Sequence, residues 1–173
     1  MRWQTGTGSP YSHVPKQEFL YTAQNASGCL NPRCLAANKA TPWACLVADM
    51  GSRFIETPTF ALQSVFDTNQ LGTAGCSDSA CAVPYMQYLN ASVVAFATSH
   101  GTNTGAAMGG YIDMCSRHCG NEPPIDGYSS LSAFAEWFAG LGGVASRSRR
   151  LWVQQTAMPF NSKAPYCTTC CKQ

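Results

Sequence analysis

Charge is scarce in this chain. Of its 173 residues, 12% are Asp, Glu, Lys or Arg, and the formal net charge is +2. Nucleic acid is recognised by clustered cations, so there is no electrostatic case for it as a partner. The short basic run Arg147, Arg149, Arg150 reads as solvated surface. No apolar run reaches the roughly 18 residues that a membrane helix needs, so no span is expected. The first twenty residues are polar and carry Pro10 and Pro15, so they do not read as a secretory leader. Also missing is a Ser within Gly-x-Ser-x-Gly, the strained elbow that exposes a serine nucleophile.

Cysteine, by contrast, is abundant. The ten are Cys29, Cys34, Cys45, Cys76, Cys81, Cys115, Cys119, Cys167, Cys170 and Cys171. Two glycosylation sequons accompany them, Asn25-Ala26-Ser27 and Asn90-Ala91-Ser92. Together they point to disulfides and an oxidising, secretory compartment. A secreted chain without a leader is a contradiction, and the simplest expectation is that the natural N-terminus is missing. Apolar residues make up 45% of the chain, enough for a folded core in one domain.

Residues 1–18, rich in Gly, Ser, Thr and Pro, read as a flexible segment, and residues 19–173 as one domain. The cysteine cluster of residues 19–50 predicts short helical turns stapled by a bridge, Cys34 or Cys29 with Cys45. Residues 57–66 predict a strand apolar enough to be buried on both faces, with Pro58 at its start. Pro84 fits the first turn of a helix carrying Met86, Leu89, Val93 and Phe96 on one face. Gly109 to Met114 predicts a second strand. Ser129 or Ser130 can cap a second helix with Phe134, Trp137, Phe138 and Leu141 on one side, closed by Gly142 and Gly143. Strand, helix, strand, helix is the pattern of an α/β fold.

Chemistry concentrates where those strands end. The first predicted strand leads straight into Asp67. The second leads into Cys115-Ser116-Arg117-His118-Cys119. An acid and then a histidine, each just past a buried parallel strand, are the second and third members of a serine-hydrolase triad. Open α/β sheets place their sites at this end. Singly, each residue has a plainer reading: Asp67 caps a turn and His118 is an ordinary loop histidine. Jointly, the matched strand contexts favour catalysis. His13, near the N-terminus, and His100, at a helix end, compete poorly. Gly75-Cys76-Ser77-Asp78-Ser79 is no substitute elbow, because no strand precedes it and Asp78 stands where a small residue is needed. Cys76 and Cys81 suit a short staple or bridges to neighbours. A reading of another class joins Cys115, His118 and Cys119 with Cys167, Cys170 and Cys171 in a zinc site. The chain would then be a secreted, cysteine-rich module without catalysis, binding glycan or metal.

The same segments carry a family resemblance. Thr57-Pro58-Thr59-Phe60 through Phe66-Asp67-Thr68-Asn69-Gln70-Leu71 resembles the TPLF…AYDxWQ segment of the pectin acetylesterase and Notum family. Tyr111-Ile112-Asp113-Met114-Cys115-Ser116-Arg117-His118-Cys119 resembles its (F/Y)IxxCxxHC segment. The Cys29-to-Cys45 region and Ala133-Phe134-Ala135-Glu136-Trp137-Phe138 are similar to flanking family pieces, so the resemblance spans roughly residues 20–143. Asn69 departs from the usual Trp. The resemblance implies the C-terminal half of an α/β-hydrolase, with Asp67 as triad acid and His118 as base, and no cofactor or metal. The family nucleophile belongs to an upstream Gly-Cys-Ser-Ala-Gly-Gly motif that this sequence does not contain. The resemblance therefore implies a secreted or cell-wall ester hydrolase acting on an acetylated polysaccharide or acylated protein, inactive as this chain alone. Half a parallel sheet exposes an edge, so poor solubility or association is expected. Cys115 and Cys119 are expected to reach distant partners and brace the His118 loop.

Overall fold

The computed structural model describes residues 14–76, 78–98, 107–116, 118, 122–142 and 150–154. The chain is already helical at α1 (Val14–Ala23), inside the stretch expected to be flexible. Pro15 stands in its first turn, where a missing backbone N–H costs nothing. After a 3-10 turn at Ala26–Cys29 comes α2 (Pro32–Ala37). Its N-cap is Asn31, whose side chain accepts the Arg33 and Cys34 amides. Then come a 3-10 turn at Pro42–Leu46, α3 (Ala48–Gly51) and a turn at Ser52–Phe54. A disulfide joins buried Cys34 to Cys45. Of the two partners the sequence offered for Cys45, Cys29 is instead an exposed free thiol.

Three parallel strands form the sheet: β1 (Thr59–Ser64), β2 (Met108–Asp113) and β3 (Leu151–Val153), in the order β1-β2-β3. Strand β2 is central and buried along its whole length. Its residues alternate between two apolar clusters, as the pleat requires. Tyr111 joins Trp137, Trp152, Ile125 and Ala133 on one face. Ile112 joins Val65, Phe66 and Met86 on the other. Helix α5 (Ser79–Thr98) packs on the Ile112 side and α6 (Ser130–Ala139) on the Tyr111 side, so the sheet is covered on both faces. A Cβ on Gly109 would stand 2.7 Å from both Phe60 and Trp137, so only glycine lets α6 approach this closely.

Several expectations need correction. Helix α5 starts five residues before Pro84, which occupies an exposed position inside it. The Cys76–Cys81 disulfide and the Asp78 carboxylate, which accepts the Cys81 amide, organise the first turn without it. In α6 the N-cap is Ser129, one of the two serines the sequence offered, but the helix ends at Ala139 with Gly140 as C-cap. Its buried face is Ala133 and Trp137, whereas Phe134 and Phe138 stack on each other and are exposed. The three-residue β3 was not foreseen. Arg147 and Arg149 lie outside the described residues, but Arg150 enters the sheet: its carbonyl accepts the Gly110 amide. Strand β1 is not buried on both faces either. It is the sheet's edge among the described residues, and Leu62 is 51% exposed.

The two sequons differ in kind. Asn25 is exposed in a left-handed turn, φ 48°. Asn90 lies within α5 with its amide oxygen shielded from solvent. On expression through a secretory route, Asn25 should carry a glycan and Asn90 should not, as read by mass spectrometry of tryptic peptides. The open edge generates a second prediction. The chain should self-associate in sedimentation velocity runs, and Leu62→Lys should shift it toward monomer with an unchanged circular dichroism spectrum.

Candidate active site

Asp67 is placed by the end of β1 and the start of the next helix. The chain leaves β1 through buried Val65 and Phe66, and Asp67 becomes the N-cap of α4 (Thr68–Thr73). Its Oδ1 accepts the Asn69 amide at 2.8 Å and the Gln70 amide at 2.9 Å. The plain reading of Asp67 as a cap is therefore true of one side of the carboxylate. The other side meets His118. Its Nδ1 lies 3.0 Å from Oδ1 and 2.9 Å from Oδ2. The carboxylate is buried, at 7% side-chain exposure, while the imidazole is 49% exposed.

That geometry selects a tautomer. An ionised carboxylate only accepts hydrogen bonds, so Nδ1 must donate, and in the neutral ring Nε2 is then left as the acceptor. A half-exposed imidazole with Nδ1–H on a buried carboxylate and a basic Nε2 can abstract a proton from a neighbouring hydroxyl.

The stretch that leads to His118 is held from several sides. Gln154, just past β3, donates its amide to the Ile112 carbonyl, and its side-chain oxygen accepts the Met114 amide at 2.9 Å. The Cys115 amide donates to the Asp113 carboxylate at 2.8 Å. The Cys115 sulfur is disulfide-bonded, as the bracing argument expects. Cys119, Cys167, Cys170 and Cys171 lie outside the described residues, as do Ser77, His13 and His100.

A disulfide at Cys115 removes the thiolate on which the zinc reading of Cys115 and His118 relied. Among the described residues no cluster of His, Cys, Asp or Glu is arranged to hold a metal ion. Cys76 is likewise bonded, to Cys81: the short staple, and not bridges to neighbours.

A cavity of about 740 Å³ opens between β1, α5 and the disulfide-linked N-terminal helices. Neither Asp67 nor His118 lines it. It touches the site through Gln70. Gln70 gives its amide to Asp67, while its side-chain oxygen accepts the Tyr85 hydroxyl at 3.0 Å in the cavity wall. Leu89, Val93 and Phe96 of the apolar stripe read in the sequence face this space. Nothing in the sequence signalled Ser64, Asp113 or Gln154 as support for the site. The only available clue was an acid inside an otherwise apolar strand.

No family model, curated protein or solved structure matches the chain. The site therefore stands on its geometry.

The two roles of Asp67 can be separated. Asn caps helices as well as Asp does, whereas Ala forfeits about 0.5–2 kcal/mol. Asp67→Asn should stay within about 1 kcal/mol of wild type in urea unfolding, and Asp67→Ala should lose about twice that or more, because the partner of His118 goes as well.

Proposed function

We propose that this chain carries the acid and base of a secreted carboxylic ester hydrolase of the pectin acetylesterase and Notum type. The single observation supporting this reading is the contact of His118 Nδ1 with the buried Asp67 carboxylate, 2.9 Å, at the shared end of two parallel strands. The disulfides Cys34–Cys45 and Cys76–Cys81 are in keeping with an oxidising compartment.

In the proposed reaction a serine hydroxyl attacks the ester carbonyl of an acetylated polysaccharide or acylated protein. His118 Nε2 takes the serine proton and returns it to the departing alkoxide. Water then cleaves the acyl-serine by the same relay. Asp67 orients the ring and stabilises the imidazolium. The nucleophile belongs to a Gly-Cys-Ser-Ala-Gly-Gly elbow that this sequence does not contain, and the following backbone amide would complete the oxyanion hole. The chain alone therefore lacks both the attacking group and the main stabiliser of the tetrahedral intermediate.

Two measurements test this. The purified chain should hydrolyse p-nitrophenyl acetate no faster than buffer. Turnover that disappears in Ser77→Ala would mean the nucleophile lies in this chain after all. If a longer, upstream-extended polypeptide supplies that elbow, it should be an enzyme whose kcat falls at least about a thousandfold in His118→Ala. An unchanged kcat in that variant would sink the reading.

A further inference from the structure

Asp113 is a fully buried carboxylate for which the proposed reaction has no use. It closes β2, directly opposite Ser64 at the end of β1. The Ser64 hydroxyl donates to it, 2.9 Å from each oxygen. Its Oδ1 also accepts the Cys115 amide at 2.8 Å. Its backbone carbonyl accepts the Val65 amide at 3.0 Å. A carboxylate is costly to bury, and an apolar residue in an apolar strand would avoid that cost. What the side chain gains is a junction. Ser64 stands three residues before Asp67, and Cys115 three residues before His118. Asp113 thus ties together the roots of the two loops at equal chain distance from the two functional groups.

We propose that Asp113 is a positioning residue, which sets the distance between Asp67 and His118 by clamping Ser64 and Cys115 to one carboxylate. The proposal rests on the reading of Asp67 and His118 as an acid–base pair. Three residues of chain can wander by several ångströms, and a misplacement of about 1 Å can cost on the order of a hundredfold in rate. The clamp acts on the loop root, where a small change of direction moves the imidazole most. It works through hydrogen-bond geometry, so an isosteric neutral acceptor should serve nearly as well as the carboxylate.

The test uses nitrogen-15-labelled full chain and needs neither substrate nor nucleophile. At low temperature the His118 Nδ1–H proton should give a downfield resonance, assigned by its loss in His118→Gln. Asp113→Asn keeps an oxygen for the Cys115 amide and a partner for Ser64, so the resonance should persist. Asp113→Ala should lose it while the circular dichroism spectrum stays native. If Asp113→Ala does not fold, Ser64→Ala removes one arm of the clamp, and the resonance should broaden or shift. An unchanged resonance in a folded Asp113→Ala, or in Ser64→Ala where that variant is needed, would overturn the proposal. Equal loss in Asn and Ala would do so too, because the role would then be one of charge. If the wild type lacks the resonance, the Asp67–His118 pair itself fails. A wild-type resonance lost in Asp113→Ala, with no esterase activity from the upstream-extended enzyme, would separate failure of the ester-hydrolase reading from success of the clamp.

Discussion

Everything at the site depends on the in-register parallel pairing of β1 with β2. Parallel strands bring equivalent ends together, so the loops that follow them emerge side by side. Ser64 opposite Asp113 is the last rung of that ladder. One loop then reaches Asp67 and the other His118. A slip of one residue would turn Asp113 to the opposite face of the sheet and part it from Ser64. The register is guarded by packing on both faces. Phe60 and Trp137 close over Gly109 on one side, and Ile112 is enclosed with Val65, Phe66 and Met86 on the other.

Among the described residues the buried carboxylates cluster at this end of the sheet. Asp67 and Asp113 are the two buried acids among the described residues. Each holds backbone amides of the segment that follows it: Asp67 those of Asn69 and Gln70, Asp113 that of Cys115. The arrangement satisfies both carboxylates with donors that would otherwise be orphaned where strand gives way to loop. Helix stability and the position of His118 are thereby linked, since the group that caps α4 is the one in contact with His118.

The opposite tendency marks β1. Its outer edge has no strand beside it among the described residues, and Leu62 is half exposed there. The large cavity lies along this strand, between it and the disulfide-linked helices, and stays separate from the dyad.

Much of this was legible in the order of residues. An apolar run ending in Asp67 and another leading to His118 predicted two strands, parallel pairing and a shared site, because strand periodicity and loop chemistry are local properties. A serine cap at residue 129 or 130 and a bridge from Cys45 to Cys34 or Cys29 were readable for the same reason, though not which of each pair. Burial and register were not. Whether β1 is central or at an edge depends on which strands flank it, so its apolar content was mistaken for burial on both faces. The exposed face of α6 was likewise settled by partners distant in sequence, and the start of α5 ahead of Pro84 by the Cys76–Cys81 disulfide and the Asp78 carboxylate. The three residues of β3 carry too little pattern to announce a strand, yet they place Gln154 against the stretch that leads to His118. By itself the sequence determined which side chains could act as acid and base, since their chemistry and strand contexts are covalent facts. Only the tertiary structure decided that Asp67 and His118 meet, and that Asp113 and Ser64 tie their loops together, because those contacts exist only once the strands have paired.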